Sequence, residues 1–179
     1  MTFHTIKRTT VGIVAGGVFL AGSILAAGPA AAGNGNSEVI GSGPTYVYPG
    51  GDALASADAT VSAGALGNGN SQITLSVDGV AAPAGTKFGA HVHENPCGAM
   101  SGGASGPHYN VDPEGDGPLK NREVWLDFTV NANGSGHAVA TRSFEVPDRA
   151  NRSVIIHVMP TEHGTGAAGA RLACIDLDS

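Results

Sequence analysis

From Asp58 onward, apolar residues recur at every second position. Ala59, Val61 and Ala63 alternate with Asp58, Thr60 and Ser62; after the turn-forming GNGN at 67–70, Ile73, Leu75 and Val77 alternate with Gln72, Thr74, Ser76 and Asp78. Successive side chains of an extended strand point to opposite faces, so this period buries one face of a sheet and gives the other to polar groups, and the two runs predict a hairpin. Phe88, Ala90 and Val92 repeat the pattern, as do Val124, Leu126, Phe128 and Val130, then Val154, Ile156 and Val158. NANGSG at 131–136 turns the chain into a further strand at HAVATRSFEV, and RLACIDL closes the sequence. The expected fold is all-β, about seven to eight antiparallel strands in a Greek-key β-sandwich or flattened barrel, with two longer loops at 95–122 and 159–170. The 28 glycines and the low charged fraction of 13% agree with strands and tight turns, and no helix of normal length fits after the N-terminal segment.

That segment carries Lys7 and Arg8, an apolar run from Val11 to Ala27, and GPAAAG, whose Ala30 and Ala32 are the small residues a signal peptidase needs. Residues 1–32 are read as an export signal; the apolar run is short of the about 20 residues a bilayer span needs, which favours removal over the alternative of retention as a membrane anchor, and the mature chain is then secreted or held at the cell envelope. Residues 33–56 are Gly-, Ser- and Pro-rich and read as a flexible tether, in which TYVY can add an edge strand; 57–179 is the folded domain. The whole chain has 9 Lys plus Arg and 15 Asp plus Glu, a net charge of −6; without Lys7 and Arg8 the balance is 7 against 15, or −8. Such a balance argues against nucleic acid as a partner. Two cysteines in an exported chain favour a disulfide over two free thiols, and one joining Cys97 to Cys174 would contribute about 4 kcal/mol in the chain-entropy account.

GAHVHENPCG at 89–98 holds the chemistry. With Phe88, Ala90 and Val92 facing the core, His91 and His93 share the opposite face of the strand, within reach of one ion or, alternatively, as two solvated imidazoles. SGPHYN places His108 in the first long loop, and SVIIHV places His157 on a late strand, on the face away from Val154 and Ile156. Together GAHVHENPCG, GPHYN, SVIIHV and GTGAAGARLAC, in this order, resemble the copper/zinc superoxide dismutase family over about Asp58 to Leu177. The resemblance implies a Greek-key β-sandwich, His91, His93, His108 and His157 as copper ligands, a Cys97–Cys174 disulfide, and Arg171 as the side chain that guides the superoxide anion. An all-imidazole donor set independently suits copper(II), which also tops the affinity order of the divalent first-row metals.

The chain departs from the family pattern in two places. No histidine lies between His108 and His137, so the zinc site looks broken; Asp112, Glu114, Asp116, Glu123 and Asp127 are the carboxylates of that region, and with one imidazole they make a poor structural zinc set. The segment VMPTEHGTGAAG after His157 is short, which implies an open approach to the metal. Both features resemble the copper-only branch of the family, in which an acidic residue orients a copper-bound imidazole. Glu123 is the candidate for His108, with Asp127 as its competitor. His137 and His163 are read as solvated, Met100 and Met159 as packing residues, and Trp125 as a cover for apolar surface or a loop. The expected activity is conversion of superoxide to dioxygen and hydrogen peroxide, with His108 carrying a proton. The rival is a non-catalytic copper-storage or surface-interaction domain of the same fold.

Overall fold

The computed structural model describes residues 37–67, 69–98, 102–147 and 149–178. The expected export signal, 1–32, lies outside the described residues, as does Met100. Among the described residues nine strands follow in chain order: β1 (Ser37–Pro44), β2 (Tyr46–Val47), β3 (Asp58–Gly67), β4 (Asn70–Asp78), β5 (Lys87–His93), β6 (Phe128–Thr129), β7 (Gly136–Arg142), β8 (Ser153–His157) and β9 (Arg171–Asp176). One four-residue α-helix, α1 (Leu119–Arg122), precedes β6 among the described residues, and short 3-10 turns lie at Asp52–Leu54, Gly102–Ser105 and Arg149–Asn151. The strands form two antiparallel sheets, β1-β3-β4-β7 and β2-β9-β8-β5-β6. This is the Greek-key β-sandwich that the alternation predicts, with nine strands where seven to eight are expected.

The core lies between the sheets. Val61, Ile73, Leu75 and Val77 from the first sheet meet Ala90, Val92, Val154, Ile156, Ala173 and Ile175 from the second. Each fully buried Val, Leu or Ile side chain contributes about 1.5–3 kcal/mol, so the period-two pattern is also the main source of stability. Val124, Leu126, Phe128 and Val130 are all buried as the alternation requires. Yet that run forms only a two-residue strand, because Glu123 and Trp125 make isolated bridges to Asn110 and His91 in place of a continuous ladder. Val158 differs from expectation and is 45% exposed, since β8 ends at His157 and the chain leaves the sheet there.

The stretch expected as a flexible tether is instead part of the sandwich from Ser37 on. β1 pairs with β3 from Ser37↔Gly64 to Pro44↔Asp58, and β2 pairs with β9 through Tyr46↔Cys174. Backbone hydrogen bonding does not depend on side-chain period, so a Gly/Ser-rich segment joins a sheet once a partner strand is available. Ile40 and Leu54, 2% and 0% exposed, anchor it in the core. Behind the second sheet, Tyr48, Ile155 and Cys174 form a smaller cluster with Cys97.

Candidate metal centre

β5 and β8 are neighbours with Gly89 paired to His157 and His91 to Ile155, which puts His91, His93 and His157 on one face of the second sheet. His108 comes from the long loop after β5 and is brought in by a bridge to His93. One ligand nitrogen from each of these histidines lies within 4.8 Å of the other three. His93 and His157 Nε2 are 3.4 Å apart, and the His91 and His108 ring centres are 4.0 Å apart. Among the described residues this is the one group of three or more histidine, cysteine or carboxylate side chains arranged to hold a metal.

The faces expected to project outward are covered by the two long loops. His91 and His93 are 0% exposed and His157 is 4% exposed, whereas His108 keeps 20% of its side chain open. Removal from water lowers the three buried imidazoles below their ordinary 6.5: His91 to about 2, His93 to about 3 and His157 to about 4. For His91 the neighbouring histidines add to that desolvation, while carbonyl hydrogen bonds partly oppose it at His93 and His157. These rings are therefore neutral at pH 7 and have lone pairs to offer.

Each ring is held by its nitrogen away from the cluster. His93 Nδ1 donates to Gly106 O at 3.0 Å, and His157 Nδ1 donates to Gly169 O at 3.1 Å. His108 Nδ1 donates to Glu123 Oε2 at 2.9 Å. The same oxygen accepts from Trp125 Nε1 at 2.7 Å, so Glu123, 5% exposed, is pinned from both sides. His91 is the exception: its Nε2 meets Thr161 Oγ1 at 2.6 Å, and its Nδ1 is buried without a hydrogen-bond partner. A buried orphan nitrogen facing three other imidazoles is what a metal-ligand position requires, and the donor set fits an ion bound through His91 Nδ1 and the Nε2 atoms of the others.

The remaining candidates fall into place around this cluster. Arg171 opens β9; its Nη2 donates to Gly106 O at 2.6 Å and its Nη1 to Ser105 Oγ at 3.0 Å, so one carbonyl positions both the guanidinium and His93. Arg171, His108 and Glu123 line one shallow depression together with Glu94 and Asn110. Cys97 and Cys174 are disulfide-bonded. Asp127 takes a different place from the one weighed for it, since its carboxylate holds Thr161 and the Ala90 amide and does not reach His108. His137 and His163 are exposed; His163 meets Trp125 edge-on at 5.9 Å, and Met159 is 52% exposed. Gly106, Thr161 and Gly169 carry no signal of their own in the sequence, although Thr161 follows His157 by four positions and Gly106 precedes His108 by two.

The model of the family described as copper/zinc superoxide dismutase matches residues 56–175. The chain belongs to that family. Among solved structures, a double mutant of a SOD-like protein from Bacillus subtilis is similar at 18% identity and TM-score 0.54, over 67% of this chain and 88% of that one. The unmutated SOD-like protein from the same organism is similar at 16% identity and TM-score 0.52, over 66% and 89%. The clock protein EA4 is similar at 17% identity and TM-score 0.57, over 80% and 94%. At these identities the likeness is one of fold. No curated protein sequence matches the chain. As a superoxide dismutase family member, the protein combines the family's sandwich and disulfide with a four-histidine centre whose fourth ring leans on a glutamate.

Proposed function

We propose that the protein is an exported, copper-dependent superoxide dismutase that works without zinc. The observation that carries this reading is the convergence of four imidazole nitrogens within 4.8 Å beside a depression lined by both His108 and Arg171. Copper, when bound, supplies the alternation between divalent and monovalent states by which one superoxide gives up an electron and a second accepts it. His91, His93, His108 and His157 would hold it. Support for copper without zinc comes from His108 Nδ1, the nitrogen turned away from the cluster, which is on Glu123.

Arg171 attracts and orients the anion at a surface whose overall charge repels it; local positive charge beside a concave site outweighs distant negative charge within about a Debye length of 8–10 Å. His108, the most exposed of the four rings, stands where the anion enters, and Glu123 keeps its Nδ1 proton engaged while Nε2 turns inward. Two superoxides and two protons yield one dioxygen and one hydrogen peroxide, and His108 with solvent delivers the protons to the reduced anion. Export is supported by the disulfide, which persists in oxidising compartments.

The test is metal analysis of the purified mature chain after copper loading, together with superoxide removal measured above an equal amount of free copper. The expected result is one copper per chain, negligible zinc and turnover that follows the loaded fraction. Tight copper without turnover would assign the protein to copper storage, and no copper at all to a surface-binding module.

A further inference from the structure

Three of the four rings aim Nε2 into the cluster and tie Nδ1 to a carbonyl or carboxylate; only His91 is reversed. The reversal needs a partner that accepts a proton from Nε2. Thr161 Oγ1 is that partner at 2.6 Å, and it is itself 2.5 Å from Asp127 Oδ1. Both Asp127 oxygens already accept backbone protons, Oδ2 from Thr161 N–H at 2.7 Å and Oδ1 from Ala90 N–H at 3.1 Å. The carboxylate therefore acts as an acceptor here, and the single hydroxyl proton of Thr161 is committed to it. With that proton spent, Thr161 can only accept from His91, so the His91 proton sits on Nε2 and the Nδ1 lone pair faces the cluster.

We propose that Thr161 and Asp127 form a hydroxyl relay that selects the His91 tautomer and orients its ring, making Thr161 a positioning residue for the metal centre. This rests on the metal reading of the four-histidine site. The relay is built in: Thr161 is 6% exposed, and its backbone and side chain both bind the same carboxylate. Gly89 lets it approach. A Cβ there would stand 2.5 Å from Met159 O, 2.7 Å from Ala168 Cβ and 3.3 Å from Thr161 Oγ1, so the loop after β8 lies flat on β5 only because residue 89 has no side chain. Asp127 also joins the relay to β5 through Ala90, the residue preceding His91, which couples ring orientation to the sheet itself.

The test is made first on the metal-free protein, by nitrogen-15 NMR of the histidine rings near pH 7 in wild type and in the Thr161→Val, Thr161→Ser and Asp127→Asn variants. Wild type should show His91 protonated at Nε2. Thr161→Val should give a mixture of tautomers while His93 and His157 remain protonated at Nδ1, Asp127→Asn should weaken the preference, and Thr161→Ser should restore it. Copper affinity, measured by competition with a chromophoric chelator, should fall about 10- to 100-fold in Thr161→Val and recover in Thr161→Ser. A wild-type His91 protonated at Nδ1, or a folded Thr161→Val protein with wild-type tautomer and affinity, would overturn the relay. Failure of wild type to bind copper would sink the metal reading alone, because the tautomer measurement involves no metal.

Discussion

Arg171 and Glu123 divide the work around His108. The guanidinium is held by Ser105 and Gly106, so it stands beside the centre without being a ligand, and its removal should leave copper binding intact. Arg171→Ala is expected to lower the rate of superoxide removal about tenfold at low ionic strength and by less at high salt, where screening already weakens the steering. Stopped-flow measurements across a salt series check this, and an equal loss at every salt would argue against attraction as its role. Glu123 is different, because two N–H groups depend on one of its oxygens. Glu123→Ala should reduce copper affinity about 10- to 100-fold. Because Trp125 is the only tryptophan and donates to this carboxylate, the same change should shift its emission in the metal-free protein.

At the scale of elements, the two long loops are what turn a sheet face into a closed centre. The loop between β5 and α1 supplies His108 and the Gly106 carbonyl, and the loop between β8 and β9 supplies Thr161 and the Gly169 carbonyl. Gly166 of the second loop also passes close over His108 and Glu123, where an added Cβ would lie 3.4 Å from the carboxylate. Gly89→Ala therefore probes the seating of a loop more than the strand that carries it. Its methyl group would push Met159 and Ala168 away, at a cost of about 1–3 kcal/mol, the usual range for overpacking. Urea unfolding should show this loss together with weaker copper binding; an unchanged midpoint would mean that the loop accommodates the group without moving.

For the molecule as a whole, stability should depend on pH through the buried histidines. Folding holds His91, His93 and His157 neutral down to about 2, 3 and 4, while in the unfolded chain they titrate near 6.5. Below that value the unfolded state takes up protons that the folded state refuses. The metal-free protein should thus be most stable above about pH 6.5 and should lose stability steadily as pH falls from there toward 4. Urea midpoints at pH 7 and 5 test the sign, and a midpoint that rises on acidification would contradict it. The disulfide acts on the same balance from the unfolded side: joining positions 77 apart, it should contribute about 4 kcal/mol, so reduction should lower the urea midpoint.

Much of the architecture is legible in the sequence, because burial on one face of a strand imposes a period of two that side-chain polarity reports directly. That is why Ala59, Val61, Ile73, Leu75 and Val77 read correctly as core. The shared face of His91 and His93 follows from the same rule. What the alternation could not show was β1, since Gly- and Ser-rich backbone pairs by its own amides and leaves no polarity signal. Nor could it show that the histidine face is buried, a consequence of loops packing back over it. The choice between Glu123 and Asp127 was likewise closed to a linear reading: both are acidic and four residues apart, and only the fold turns one toward His108 and the other toward Thr161. Residue types and local period specify strands and candidate ligands; which nitrogen of each ring faces inward depends on partners distant in sequence, and those exist only once the chain has closed.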